Sequence, residues 1–136
     1  MKKIEKYTEH LEYNGYQFYK EMGEDEGRQV YYFTSEQYGP LSICGIGKDA
    51  SLGVRLEKYY PLIVSNKQKI EFYEMINEIN KSLAIGACFW FDDGGLMMSF
   101  PILGDYNKKN TSNILEAWHV DCEKIFEFEL QKYWKE

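Results

Sequence analysis

Residues 75–100 read MINEINKSLAIGACFWFDDGGLMMSF and carry the clearest structural signal in the chain. The first part continues a stripe of apolar residues at helical spacing, which is typical of a helix that packs on one side. Two apolar runs follow, Ile85–Phe91 and Leu96–Phe100, and Asp-Asp-Gly-Gly joins them. Apolar runs that flank a turn sequence indicate paired antiparallel strands. The stretch therefore predicts a helix followed by a β-hairpin.

Asp92 and Asp93 raise the question of a paired-carboxylate active site between the two apolar runs. Such a pair needs a cleft that raises one pKa and holds both carboxylates against a substrate. A hairpin tip projects into water instead, and Asp and Gly are the residues that tight turns favour. We therefore interpret Asp92 and Asp93 as turn residues.

The segments before this stretch change from a helical pattern to a strand pattern. Apolar residues at helical spacing predict a first helix that stops at Asn14. Residues 16–22 and 28–34 alternate as strands do on either side of a charged turn, so they predict a second hairpin. Residues 41–58 alternate around a glycine-rich bend and predict one or two further strands.

Two more helices complete the series. Ser65 and Gln68 stand at capping-box spacing, so a helix begins at Ser65 and leads into the stretch quoted above. Asn113 and Glu116 have the same spacing and predict a last helix that runs from about Asn113 to Trp134. Its apolar face comprises Leu115, Trp118, Cys122, Ile125 and Tyr133.

The elements together predict one α+β domain over residues 1–136, in the order α-β-β-β-α-β-β-α. Runs of strands interrupted by single helices favour an antiparallel sheet over a parallel α/β sheet. We expect the helices to pack mainly on one face of that sheet.

The composition argues against several classes of function. A net charge of -6 and a pI near 5.0 argue against a nucleic-acid partner. The N-terminus lacks the apolar core of a signal peptide, and no window approaches the about 18 apolar residues that a membrane span needs. Cys44, Cys88 and Cys122 are odd in number and far apart, which indicates reduced thiols. We therefore expect a soluble cytoplasmic protein with no nucleic-acid or membrane partner.

Three groups of residues suggest chemistry, and each has a plainer interpretation. His119, Cys122 and Glu123 share one side of the last helix as zinc ligands could, but no second motif supplies a fourth ligand. The sequence CGIGKDAS, Cys44–Ser51, lacks the spacing of a phosphate-binding loop, so a bulge or a turn is the better interpretation. His10 lies off the apolar stripe of the first helix, and we expect it to be exposed. We therefore predict no catalytic residue, no cofactor and no metal, and we expect that the protein is not an enzyme.

Asn77 and Asn80 stand three residues apart near the end of the second helix. Asn is a mediocre helix former, and its side chain readily bonds to a neighbouring backbone. We favour a structural role for these residues, such as binding a loop or the edge of the sheet.

The Asn-x-x-Asn helix end, the short apolar strand, the acidic-glycine turn and the second apolar strand together resemble the YbjN family of bacterial sensory transduction regulators. The residues that carry the resemblance lie within Asn77–Phe100, and the order of elements extends it over nearly the whole chain. The resemblance implies the type III secretion chaperone-like fold and a small cytoplasmic protein that binds other proteins. Secretion chaperones of this fold are typically dimers, so we expect a homodimer.

Two kinds of protein binder follow from this. One is a chaperone-like or regulatory module that holds a protein partner on an apolar surface, and the alternative is a small acidic immunity or antitoxin protein that neutralises a toxin. For the first, strand alternation predicts that Tyr19, Trp90 and Met97 share the face of the sheet away from the helices. The same alternation puts Phe18 and Met22 together on the other face. Because Trp and Tyr offer large contact areas and Met adapts to varied shapes, we expect Tyr19, Trp90 and Met97 to bind the partner.

Overall fold

The structure of the chain is a computed structural model that describes residues 2–24, 27–91, 95–128 and 130–133. These residues form three α-helices: α1 (Lys3–Tyr13), α2 (Lys69–Ser82) and α3 (Lys108–Phe126). They also form six strands: β1 (Gln17–Glu24), β2 (Arg28–Ser35), β3 (Gly39–Ile46), β4 (Gly53–Pro61), β5 (Ala87–Phe91) and β6 (Gly95–Ile102). Short 3₁₀ turns occur at Lys48–Ala50, Asn66–Gln68 and Leu130–Tyr133.

The strands form one antiparallel sheet in the order β1-β2-β3-β4-β6-β5, so the predicted α+β fold class is confirmed. Both predicted hairpins are present, because β1 pairs with β2 and β5 pairs with β6. Asp92 and Asp93, which the sequence predicts as turn residues, lie outside the described residues. Residues 41–58 contain parts of two strands, β3 and β4, so four strands precede α2 instead of the three in the predicted order.

The chain divides into two compact units, each built from two segments. The first unit comprises residues 1–58 and 100–113, and the second comprises residues 59–99 and 114–136. Strands β4 and β6 and helix α3 contribute residues to both units. The single domain over residues 1–136 stays a prediction.

The core of the first unit lies between α1 and one face of the sheet. Ile4, Tyr7 and Leu11 of α1 are buried, as their helical spacing predicts. A Cβ atom on Gly45 would lie 3.0 Å from the Cβ of Ala50 and 3.5 Å from Cδ1 of Ile4, so the glycine permits this close approach. The buried strand residues that share the face of Gly45 are Phe33, Leu41, Ile43, Val54 and Leu56.

In the segment CGIGKDAS, residues 44–46 end β3 and residues 47–51 form the predicted turn between β3 and β4. Gly47, Asp49 and Ala50 have φ angles of 80°, 53° and 59°, so two residues other than glycine adopt left-handed backbone conformations. The Gly47 amide donates to the carbonyl oxygen of Gly27 at 2.6 Å, which fastens the turn to the start of β2. This conformation provides no strand-to-helix phosphate loop.

The core of the second unit is formed by α2, the β5–β6 hairpin and α3. Helix α3 begins five residues before the predicted start, because Asn107 Oδ1 accepts the Asn110 amide at 3.0 Å and caps the first turn. The helix ends at Phe126, and Tyr133 belongs to the 3₁₀ turn that follows. The predicted apolar face is nevertheless buried: Leu115, Trp118, Cys122, Ile125 and Tyr133.

Candidate functional site

Tyr19 is exposed on β1, which lies at one edge of the sheet. The register of β1 against β2 changes here, because Phe18 pairs with Phe33 and Lys20 pairs with Tyr32. Tyr19 is therefore the extra residue of a β-bulge, which interrupts the alternation of side chains along the strand.

The bulge changes which residues share a face. Residues that pair directly across antiparallel strands lie on the same face. Phe18 therefore lies with Phe33, on the face of the first unit's core, whereas Met22 pairs with Val30 and lies on the other face. The prediction that Phe18 and Met22 share a face is wrong, because strict alternation does not allow for an inserted residue.

The residues around Tyr19 form an aromatic surface, which we call the Tyr19 face and define as Tyr19, Lys20, Met22, Val30 and Tyr32. The rings of Tyr19 and Tyr32 have their centroids 6.1 Å apart, and Lys20 Nζ lies 5.0 Å from the centroid of the Tyr32 ring. Tyr19 and Met22 are exposed, Tyr32 is half-buried and Val30 is buried. The surface is therefore an apolar patch with one cation held over an aromatic ring.

Trp90 and Met97 do not extend this surface as a pair. Trp90 pairs with Leu96, and Met97 pairs with Phe89, so positions 90 and 97 lie on opposite faces of the hairpin. The side chain of Trp90 lies outside the described part of the chain. The prediction that Trp90 and Met97 share a face is wrong, since the row of Cys88, Leu96 and Met98 is the buried one.

The opposite edge of the sheet, β5, is covered by α2. Asn80 Oδ1 accepts the amide of Cys88 at 2.6 Å, and Asn80 Nδ2 donates to the carbonyl oxygen of Cys88 at 3.0 Å. The side chain thus makes the two hydrogen bonds that a neighbouring strand would otherwise make with Cys88. The predicted structural role of Asn80 is confirmed by these two bonds, and that of Asn77, which is exposed like Asn80, stays a prediction.

A second candidate site is a groove of about 340 Å³ in the first unit, between α1 and the start of α3. His10 is one of the residues that line it and is only 6% exposed, so the prediction that His10 faces solvent is wrong. Its Nδ1 lies 2.8 Å from the Tyr106 hydroxyl, and its Nε2 lies 3.2 Å from Oγ of Ser112. The apolar stripe of α1 predicts that one side of the helix is buried. The segment around Tyr106 covers a second side, and His10 lies there.

The surroundings of His10 favour its neutral imidazole form. Burial lowers the pKa of His10 below its usual value of 6.5, and the positive charge of Lys108 lowers it further. Lys6, Lys108 and Glu9 also line the groove, so its charged groups comprise two cations and one anion. This contrasts with the net charge of -6 of the whole chain.

Asp121 is a buried carboxylate that the sequence reasoning missed. It is fully buried on α3, where Oδ1 accepts the amide of Ala84 at 2.6 Å. Oδ2 accepts the amides of Ile85 and Gly86 at 2.9 Å and 2.7 Å. Since all three donors are backbone groups of the loop before β5, this carboxylate fixes the loop in place. The sequence does contain a signal for this burial, because Asp121 directly precedes Cys122 of the predicted apolar face.

The candidate zinc ligands differ in their environments. Cys122 is buried in the apolar face of α3, His119 is half-buried and Glu123 is exposed. Within residues 2–24, 27–91, 95–128 and 130–133, no three His, Cys, Asp or Glu side chains are grouped as a metal site requires.

No protein-family model, curated protein or solved structure matches this chain. The resemblance to the YbjN family stays a prediction. In the part of the chain that the structure describes, no helix is long and apolar enough to cross a membrane.

Proposed function

We propose that the protein is a protein-binding module, of a chaperone-like or regulatory kind, that holds its partner on the Tyr19 face, and that this face is non-catalytic. The observation that carries this proposal is the exposure of large apolar side chains on β1: Tyr19 is 56% exposed and Met22 is 42% exposed. Apolar side chains that are grouped at a surface indicate a contact area, and here they include the neighbouring rings of Tyr19 and Tyr32. The resemblance to YbjN proteins supports the same class of function.

Binding on this surface uses side chains more than the backbone edge of β1. The bulge at Tyr19 and the cation of Lys20 both disfavour the addition of a further strand. A partner segment that carries aliphatic or aromatic side chains would instead pack on the rings of Tyr19 and Tyr32 and on the thioether of Met22. An extended segment of a client protein fits this description.

We also propose that the protein forms a homodimer in the absence of a client. Two-fold dimers are the commonest assembly of a soluble chain, and the Tyr19 face of a second copy offers the same apolar residues. Light scattering at about 50 µM would detect a dimer of moderate affinity. A monomer at that concentration contradicts the dimer without contradicting client binding.

An array of immobilised peptides tests the proposed function. Peptides of about 12 residues span roughly 40 Å when extended, which is longer than β1. We expect the protein to bind peptides that contain aromatic and aliphatic residues, and we expect the double variant Tyr19→Ser, Met22→Ser to lose this binding. The matched control is Leu103→Ser, which removes an exposed apolar side chain elsewhere in the first unit.

Two outcomes would contradict the proposal: no peptide binds, or the double variant, folded by circular dichroism, binds as the control does. Salt separates apolar binding from electrostatic inhibition of a toxin. Binding to an apolar surface changes little with ionic strength, whereas an acidic inhibitor loses its association rate as salt rises.

A further inference from the structure

The groove around His10 contains the parts of a nucleophilic site. Ser112 is exposed, with its Oγ 3.2 Å from Nε2 of His10, and Tyr106 holds the other imidazole nitrogen at 2.8 Å. An activated serine requires a base within hydrogen-bond reach and a third group that orients the base. These three side chains meet both distance requirements.

The packing around Tyr106 keeps the orienting hydroxyl in place. The Tyr106 ring stands edge-on against the ring of Tyr7, with centroids 5.2 Å apart. Tyr7 is itself buried in the core of the first unit, so Tyr106 is supported by a rigid neighbour. His10 is therefore held from one side by Tyr106 and from the other by Ser112.

The state of the imidazole fits the role of a base. Burial and the charge of Lys108 both lower the pKa of His10, so they favour the neutral imidazole. A neutral imidazole has one N–H group, so only one of its nitrogens can accept. If Nδ1 carries the proton and donates to Tyr106, then Nε2 accepts the hydroxyl proton of Ser112.

We propose that Ser112 is the nucleophile of an acyl-transfer site, that His10 is its general base and that Tyr106 is a positioning residue. In the reaction, Oγ of Ser112 forms a bond to the carbonyl carbon of a small ester while its proton passes to Nε2 of His10. The carbon–alkoxide bond then breaks, and the alkoxide takes the proton from His10 and leaves as an alcohol. Water hydrolyses the acyl-serine by the same steps and releases the acid.

The groove limits the class of substrate. A volume of about 340 Å³ accommodates a small molecule, not a folded protein. Lys6 and Lys108 line it, and ammonium groups stabilise the negative oxygen that forms during attack on an ester. The site is thus distinct from the Tyr19 face and from the protein binding proposed above.

A fluorophosphonate ester tests the nucleophile, since Ser112 Oγ would displace fluoride from phosphorus and keep the phosphonyl group. We expect one adduct per chain, located on Ser112 by peptide mass spectrometry. Ser112→Ala should abolish it, and Ser51→Ala, which alters another exposed serine of the first unit, should not. Labelling should be about 100-fold slower in His10→Gln and about 10-fold slower in Tyr106→Phe, which keeps the ring.

Imidazole ¹⁵N spectra provide a second, independent measurement that needs no variant. The chain has 2 His residues, so the signals of His10 are easily assigned. We expect the proton on Nδ1. A proton on Nε2 would overturn the proposal, because Nε2 could not then accept from Ser112. The absence of an adduct, or an adduct that persists in Ser112→Ala, would overturn it as well.

Discussion

Replacement of Asp121 by Asn tests how the loop before β5 is held. The carboxylate is fully buried, and it accepts the amides of Ala84, Ile85 and Gly86. Asn has nearly the same shape, but it has one acceptor oxygen and an NH₂ group that cannot accept. The substitution therefore changes hydrogen bonding and charge with almost no change in packing.

The expected loss of unfolding free energy follows from the three hydrogen bonds that Asp121 accepts. The amide oxygen best replaces Oδ2, which serves both Ile85 and Gly86, so the amide of Ala84 loses its acceptor. Ala84 lies at the surface, where water can take over this bond, and its loss costs about 1 kcal/mol. The two remaining bonds lose their charge assistance, at roughly 0.5–1 kcal/mol each. We expect the free energy of unfolding to fall by about 2–3 kcal/mol.

Urea denaturation followed by circular dichroism measures this change. For a chain of this size m is about 1.5 kcal/mol/M, so the midpoint should fall by roughly 1.3–2 M. Glu123→Gln on the same helix is the matched control, because Glu123 is exposed and its midpoint should stay within about 0.3 M. Asp121→Ala, which removes all three acceptor contacts, should lower the midpoint further.

Equal midpoints for Asp121→Asn and Glu123→Gln would refute this reasoning. The loop would then be held by its own backbone and by packing, and the carboxylate would be dispensable. A change in m without a change in midpoint would indicate an altered denatured state instead.

Three other substitutions test other parts of the fold. Asn80→Ala should lower the free energy of unfolding by about 2 kcal/mol, because both backbone groups of Cys88 lose their partner. In the same urea titration, the control Asn77→Ala should change it by less than about 0.5 kcal/mol. Gly95→Ala should lower the free energy of unfolding by about 1–2 kcal/mol, since the new Cβ would lie 1.9 Å from Cε2 of Tyr59. This loss should be smaller in a Tyr59→Ala background, and an equal loss in both backgrounds would contradict the contact. The pKa of His10 is lowered on folding, so the unfolded chain binds the proton first as pH falls, and stability is lost below about pH 6.5. His10→Gln should lose less stability than the unsubstituted chain between about pH 7 and pH 5, and an equal loss in both would contradict the burial of a neutral imidazole.

Local patterns in the sequence determine most of the fold, and the bulge at Tyr19 is the feature that they do not predict. Helical spacing predicts the buried side of α1 and α3, and the Asn80 contact follows from the poor helix propensity of Asn. The bulge at Tyr19 has no local signal, because a single inserted residue leaves the aromatic pattern of β1 intact.

The candidate sites were less predictable than the fold, since they depend on distant segments. His10 and Ser112 are 102 residues apart in the chain, and Tyr106 lies in an irregular segment with no periodicity to interpret. Spacing within one helix could not bring these residues together. The exposure of Tyr19 was predictable from alternation, but the shift of Phe18 away from Met22 was not.

Protection of both sheet edges has a consequence for behaviour at high concentration. The bulge and Lys20 protect β1, and Asn80 occupies the outward-facing groups of Cys88 on β5. Uninterrupted stacking of chains into fibrils requires two edges that both accept a strand. The chain can therefore expose aromatic rings for binding and still resist open-ended polymerisation. Apolar binding is thus separated from amyloid formation.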